Sequence, residues 1–437
     1  MTLQMILALA ILVIMLLLIM FDVMPFGAPP IFASCLLVIA GAIWGADWET
    51  QWDVSYAFAG FVNSSVWMVA FFMVVMTAIQ KTSLIAKVKD VMGKLVEVGG
   101  FKSYVLLVVV VMLGCSLVGG GNTGYYVLIL ALVATLPYTE KLPTSKLMLG
   151  LGFATNHPLI PFNCALQYGI FTSVLIAAGA IASASEVSMV SFVIVTFALS
   201  LGYLIAAIVL YGVLPSHPIA AATDEQIAQA ESEQEAMDPT KEKVTIVLFV
   251  VSIVCMMLMN TIGNMAYVIP GICAFILLLM GVVNWREFRD GIFAPVILMM
   301  AGVIPVANAL ADSGFTALIG NAIAGVAGGL SPFLIVFIFS LLTSTCATFT
   351  GSNMGSVYVF APIAIATCQA LGVSPLAAAA AVTLSGWQGG YMPVDGLPAM
   401  IYGMGDYKLP EFWAFTIPMY FIRLIALSIG AVLVFPM

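Results

Sequence analysis

The sequence predicts an all-α polytopic membrane protein made of inverted-topology repeats, each with a re-entrant helical hairpin and a broken transmembrane helix. Three observations carry that prediction. The 437 residues are 63% hydrophobic and 8% charged, where a soluble chain carries about 25% charged residues. The 13 Lys and Arg residues fall in clusters separated by long base-free stretches. A glycine- and asparagine-containing break stands in the middle of two long apolar stretches, at one fixed spacing. At about 20 apolar residues per span, the chain has room for about ten spans plus two hairpins. Such a composition excludes a soluble enzyme, a nucleic-acid-binding protein and a disordered chain. No HExxH, GxSxG or GxxxxGK[ST] pattern occurs, so neither catalysis nor ATP-driven pumping has a basis in the residues. The seven cysteines lie in apolar segments without CxxC spacing and are expected to be buried thiols.

The first repeat, residues 1–215, opens with spans near 3–20, 30–46 and 62–80. The leading stretch lacks a basic start and a small-residue cleavage site, so it reads as a retained span, not a signal peptide. No base precedes Lys81, whereas bases cluster at Lys81–Lys102, Lys141–Lys146, Lys241–Lys243 and Arg286–Arg289. The positive-inside rule places these clusters in the cytoplasm and the base-free loops, with the N-terminus, outside. The loop Asp47–Asp53, with three acids and no base, fits the outer side. A basic surface helix is expected near 83–98. Residues 103–138 are apolar but basic at both flanks, and Gly119-Gly120-Gly121-Asn122-Thr123-Gly124 stands at their midpoint. Two ordinary spans with a tight outer turn would satisfy this, but the glycine-rich break favours a re-entrant hairpin, whose bent backbone protein must bury. A broken helix at 145–180 and a span at 189–214 complete the repeat.

Residues 216–243 are a cytoplasmic acidic linker, with nine charged residues between Asp224 and Lys243. The second repeat, 244–437, follows the same plan. Spans are expected at 244–260, 265–284 and 291–310, then a short helix near 315–328, a hairpin at 333–370, a broken helix at 375–403 and a last span at 411–436. Gly120, Asn122 and Gly124 match Gly351, Asn353 and Gly355 at an offset of 231, and Pro161-Phe162-Asn163 matches Pro393-Val394-Asp395 at 232. The second hairpin lies in a base-free region and enters from outside, so the halves are inverted, as in secondary transporters.

Helices that stop inside a membrane leave backbone groups unpartnered. Their amino ends favour anions, and freed carbonyls can hold a small cation such as Na⁺. An asparagine at each tip, Asn122 and Asn353, offers a donor and an acceptor and can bridge an ion and a carboxylate; each can also simply cap its own helix. Thr155-Asn156-His157-Pro158 through Asn163, and Gly389-Gly390 through Pro398, should unwind the broken helices, because proline removes a helix hydrogen bond. Asp395 is the one carboxylate placed deep in the membrane, which makes it a candidate to hold Na⁺, carry a coupling proton or pair with the substrate. A loop-capping role is its alternative. His157 reads as a neutral, hydrogen-bonded structural imidazole. Arg423, about twelve residues into the last span, is expected to snorkel or to pair with a neighbour.

These residues resemble those of the divalent anion–sodium symporters of the ion transporter superfamily. In that family each repeat has a hairpin bearing Ser-Asn-Thr and a span broken at a Pro-Pro-Asn-like stretch. Here the tips read Gly121-Asn122-Thr123 and Ser352-Asn353-Met354, and the breaks read Pro161-Phe162-Asn163 and Pro393-Val394-Asp395. Phe61-Val62-Asn63-Ser64-Ser65-Val66-Trp67, before a span ending in Gln80-Lys81-Thr82, also resembles the family. The resemblance implies an elevator mechanism with a dimeric scaffold. It implies that Asn122, Thr123, Asn163, Ser352, Asn353, Pro393 and Asp395 bind substrate. Na⁺ would sit at Gly121, Asn122, Thr348, Gly351, Asn353 and Asp395. Met354, Gly121 and Asp395 depart from the family pattern, which weakens the case for a symmetric dicarboxylate and admits a monoanion or zwitterion, with H⁺ replacing one Na⁺.

The expected function is therefore a Na⁺-coupled secondary transporter of a small organic anion, a carboxylate, in the cytoplasmic (inner) membrane. It would be a lipid-embedded homodimer with no nucleic-acid partner. A proton-coupled carrier of the same superfamily and the membrane subunit of a multi-component carrier are the alternatives.

Overall fold

The computed structural model describes all of residues 1–437 except Asp22, Phe26, Pro137, 220–236 and Asp395. The linker's central acidic run and the Asp395 candidate thus lie outside the described residues. In the first half the longer helices are α1 (Leu3–Met20), α2 (Ala28–Trp44), α3 (Ser64–Gln80), α4 (Leu84–Val98), α5 (Gly100–Val118), α6 (Thr123–Ala134), α7 (Thr144–Ala154), α8 (Ala165–Ala177) and α9 (Met189–Val209). In the second half they are α10 (Pro239–Met257), α11 (Met265–Leu279), α12 (Trp285–Ile292), α13 (Pro295–Asp312), α14 (Phe315–Ala327), α15 (Pro332–Thr350), α16 (Asn353–Ala370), α17 (Leu376–Ser385), α18 (Gly396–Gly405) and α19 (Leu409–Val434). Among the described residues the only β pairing is an isolated bridge between Thr139 and Leu142.

Polar residues at the helix starts explain where several helices begin. Asn63 accepts from the Ser65 amide at 2.9 Å ahead of α3, and Ser188 and Ser331 cap α9 and α15 in the same manner. Six helical stretches among the described residues are long and apolar enough to cross a membrane. Of the other apolar helices, α1 has the length expected from sequence, whereas α3 and α11 are shorter than their expected spans. The 265–284 span is helical only over Met265–Leu279, because Gly281 at φ +64° ends it. The surface is apolar as well as the interior: Leu17, Ile39, Ile194, Val254, Leu279 and Leu433 are exposed. That surface corrects one expectation, since Cys35 is exposed and Cys255 and Cys346 are half-buried. In a lipid-facing helix an apolar segment does not imply a buried side chain.

The two halves are laid out at one offset. α3 and α13 start 231 residues apart, as do α4 and α14. α2 packs along α13, where Gly302 lies against the Pro30 backbone and Ser34 Oγ donates to the Gly302 carbonyl at 3.4 Å. α3 packs along α11, with Gly271 against the Phe71 ring. The cytoplasm-assigned end of α3 is tied by Lys81 Nζ to Glu287 at 2.6 Å and to the Val282 carbonyl at 3.0 Å. The most extensive interface joins α9 to α19. A Cβ on Gly202 would stand 2.6 Å from Ala426 Cβ, and one on Gly430 would stand 2.4 Å from Ala198 Cβ. Small residues thus let the two backbones approach, as in membrane helix pairs generally.

Both apolar stretches fold as hairpins. The ends of the first lie together, since a Cβ on Gly99 would be 3.4 Å from Lys141 Cβ. Tyr125 of α6 donates to the Val111 carbonyl of α5 at 2.7 Å. At 12 residues α6 is about 18 Å long, well short of a membrane's hydrocarbon core at about 30 Å. Its tip turns at Gly119 and Gly121, with φ of +84° and +81°, a region glycine enters without steric cost. The tip meets the helix breaks: Gly119 approaches the Asn163 side chain and Gly121 approaches the Trp387 ring.

Candidate functional site

The site forms where the two hairpin tips meet the two breaks. Residues 155–164, between α7 and α8, are non-helical, and Pro158 and Pro161 cannot donate backbone hydrogen bonds. α5 supplies partners to part of this break. Leu159 N donates to the Met112 carbonyl at 3.0 Å and Ile160 N to Ser116 Oγ at 2.9 Å. Asn163 Nδ2 donates to the Leu117 carbonyl at 3.0 Å. Buried backbone needs such partners wherever a helix is interrupted.

In the second break, between α17 and α18, the partner is Arg423. Its Nη2 donates to the Gln388 and Gly389 carbonyls, each at 2.9 Å. Its Nη1 donates to Gln388 Oε1 and to His157 Nε2, each at 3.1 Å. Arg423 is 1% exposed, so it does not snorkel to an interface. The physical reason is that unpaired carbonyls in the break offer acceptors at its own depth. His157 Nδ1 lies 2.7 Å from the Phe153 carbonyl. A carbonyl only accepts, so Nδ1 carries the proton and Nε2 is left to accept from Arg423. The ring stacks on Tyr203 at 4.2 Å, and the Tyr203 hydroxyl donates to the Gly150 carbonyl.

The breaks also touch each other through residues related by the repeat offset. Asn156 Nδ2 donates to the Trp387 carbonyl at 3.0 Å, and His157 Nε2 lies 2.9 Å from Gln388 Oε1; each pair is 231 residues apart. In the sequence this offset of 231 is visible only at the tips. Applied to the first break, the same offset singles out Trp387 and Gln388, which sequence reasoning missed.

A cavity of about 250 Å³ opens at this junction. Gly121 and Thr123 face it from the first tip, and Thr348, Gly351 and Asn353 from the second. Asn156, Trp387, Gly389 and Gly390 line it from the breaks, and Arg423 lies in its wall. Gly389 must be glycine, because a Cβ there would stand 2.4 Å from Thr348 Oγ1. Thr348 donates to the Ser344 carbonyl at 2.8 Å, so its oxygen lone pairs remain available to a cation or a donor. Beside this space lies a second cavity of about 130 Å³, bordered by Gly121, Asn122, Asn163, Gln80 and Gln167.

The sequence-predicted residues divide accordingly. Gly121, Thr123, Thr348, Gly351 and Asn353 share the larger cavity, whereas Asn122 and Asn163 border the second. The aligned asparagines differ in local role. Asn122 is the N-cap of α6 and accepts from the Tyr125 amide at 2.9 Å. In the second tip Ser352 is the cap, accepting from the Gly355 amide at 3.1 Å, and Asn353 is the first helical residue. The Asn353 side chain makes no hydrogen bond among the described residues and is free to meet a ligand. Met354 is 4% exposed and packs in the core. Pro393 does not line either cavity.

Chemically, the larger cavity presents neutral oxygens, amide groups and one cation. Such an oxygen set suits a hard cation, and among the described residues no group of three or more His, Cys, Asp or Glu side chains is placed to hold a metal ion. Arg423 is the charged side chain among the described lining residues.

A family model described as citrate transporter, CitMHS, matches residues 6–384. An uncharacterized transporter of Synechocystis, sll0640, is 30% identical over 174 residues, covering 40% of this chain and 27% of that protein. Human solute carrier family 13 member 1 is 28% identical over 128 residues, covering 29% of this chain and 21% of that protein. The matched stretches thus span about a quarter of those relatives' lengths. The YdaH transporter of Alcanivorax borkumensis, a crystal structure described as having an unusual topology, superposes with a TM-score of 0.62 at 15% identity. That likeness, which is one of fold, covers 94% of this chain and 98% of YdaH. The motif resemblance, the family match over most of the chain and the transporter relatives agree: this multi-pass membrane protein belongs to the citrate transporter family.

Proposed function

We propose that the chain is a cation-coupled secondary transporter that carries a small organic anion in the larger cavity. The observation that supports this most is the convergence of both tips and both breaks on one cavity whose described charged lining group is Arg423. Amino-terminal helix ends at Thr123 and Asn353 add favourable potential for an anion. Carboxylate is the substrate class favoured by the family description. Na⁺ is the coupling ion of choice, held by Thr348, Asn353 and the carbonyls of the tips. The halves are inverted repeats, the hairpins and broken helices move as an elevator, and a second copy completes the scaffold.

Purified protein in proteoliposomes tests the reading, with labelled citrate and succinate and with Na⁺ and pH gradients imposed separately. Accumulation driven by the Na⁺ gradient is expected, and no uptake under any gradient would refute it. The proton-coupled alternative turns on Asp395, an acid where the family pattern has asparagine. Asp395→Asn is expected to flatten the pH dependence of uptake and alter its Na⁺ requirement at unchanged protein level. A wild-type pH profile and Na⁺ dependence in this variant would leave Asp395 as a structural cap.

A further inference from the structure

Arg423 is held by neutral groups: two backbone carbonyls, the Gln388 amide oxygen and the acceptor nitrogen of His157. Its Nε finds no hydrogen-bond partner among the described residues, and none of the ion pairs among them includes it. A guanidinium does not give up its proton in a protein. Carbonyl dipoles solvate the charge, no described residue compensates it, and a buried uncompensated charge is costly. The same side chain forms part of the cavity wall.

We infer that Arg423 is the fixed cation of the substrate site and that the bound anion supplies its counter-charge. The preferred ligand therefore brings net negative charge to the Gln388–Gly389 end of the cavity, and an uncharged isostere is rejected. This rests on the proposed transport reading and adds the residue that sets substrate charge. Pinning of the break is a second consequence of the same contacts, and the two roles separate experimentally.

The probes are succinate, succinamate and succinamide, which share a shape and carry two, one and no negative charges, together with citrate. Binding is measured by calorimetry on purified wild type, Arg423→Lys, Arg423→Gln and the double variant Arg423→Gln/Asp395→Asn. Wild type is expected to bind in the order succinate, succinamate, succinamide. Arg423→Gln should lose about 30-fold or more for succinate, as expected when one partner of a buried charge pair is removed, while changing little for succinamide. Arg423→Lys should keep the order with weaker binding throughout. An equal loss for all three probes in Arg423→Gln would reduce Arg423 to a pin and overturn the inference. Recovery of succinate binding in the double variant would make Asp395 the counter-ion and also overturn it. Should Arg423→Gln fail to fold, the thermal stabilisation of wild type by the same series decides, and absence of a charge order contradicts the inference. Wild type that binds none of the four probes refutes the transport-site reading itself, whereas binding without charge order refutes only the role of Arg423.

Discussion

Asn122 and Asn353 occupy matching positions in sequence and different positions in their helices, so the same substitution tests different things. Alanine at 122 removes the cap on Tyr125 N and is expected to cost about 1 kcal/mol of stability. Asn122→Ser retains a capping oxygen and removes the amide, so it should keep wild-type thermal stability. It should nevertheless lower uptake. Asn353 has no partner among the described residues to lose, and Asn353→Ala should change stability by no more than about 0.5 kcal/mol while abolishing uptake. Wild-type uptake in both variants would leave the asparagines with no transport role. At this scale the residue types at the tips were legible, because glycine and asparagine together break an apolar run and mark a turn within it. The difference between Asn122 and Asn353 was not, because which residue becomes the cap depends on the turn before it. Gly121 at φ +81° leads directly into Asn122, whereas Gly351 at φ +67° is followed by Ser352. Nor was the depth of Arg423 legible, since a base twelve residues into a span can snorkel or be buried, and only the carbonyls of the opposing break decide between them.

The elements carry their own tests. α9 and α19 are held close by Gly202 and Gly430 against Ala426 and Ala198. Gly202→Val inserts branched carbon where 2.6 Å is available and should destabilise the protein by about 1–3 kcal/mol. A detergent melting curve unchanged from wild type would mean that the two helices do not depend on this approach. The first hairpin makes a topological prediction. Cysteines introduced in separate variants at Lys94 and Lys141, which flank it, should both be labelled from the cytoplasmic side by an impermeant reagent. Labelling from opposite sides would remove the hairpin. Helix boundaries were missed at Gly281 and Pro295, where the expected spans run on to 284 and begin at 291, whereas α11 ends at Leu279 and α13 starts at Pro295. The length of individual spans was not fully legible, because hydropathy does not tell a lipid-crossing helix from one that stops inside the protein.

For the whole molecule, the legible part was the all-helical, multi-pass membrane class, and one offset linked the tips. The structure extends that offset to helix starts and to the contacts of Asn156 with Trp387 and His157 with Gln388. Composition and spacing could not show that these pairs touch, because contact between residues so far apart in sequence is set by tertiary packing, here of one break against the other. The central claim is that the tips and breaks together form one anion site. The most direct measurement is an experimental structure of the purified protein determined with citrate and Na⁺. The account predicts ligand density in the larger cavity, between Thr123 and Asn353 and against the wall formed by Arg423. Density confined to the second cavity beside Asn163, or none at saturating citrate, would contradict it.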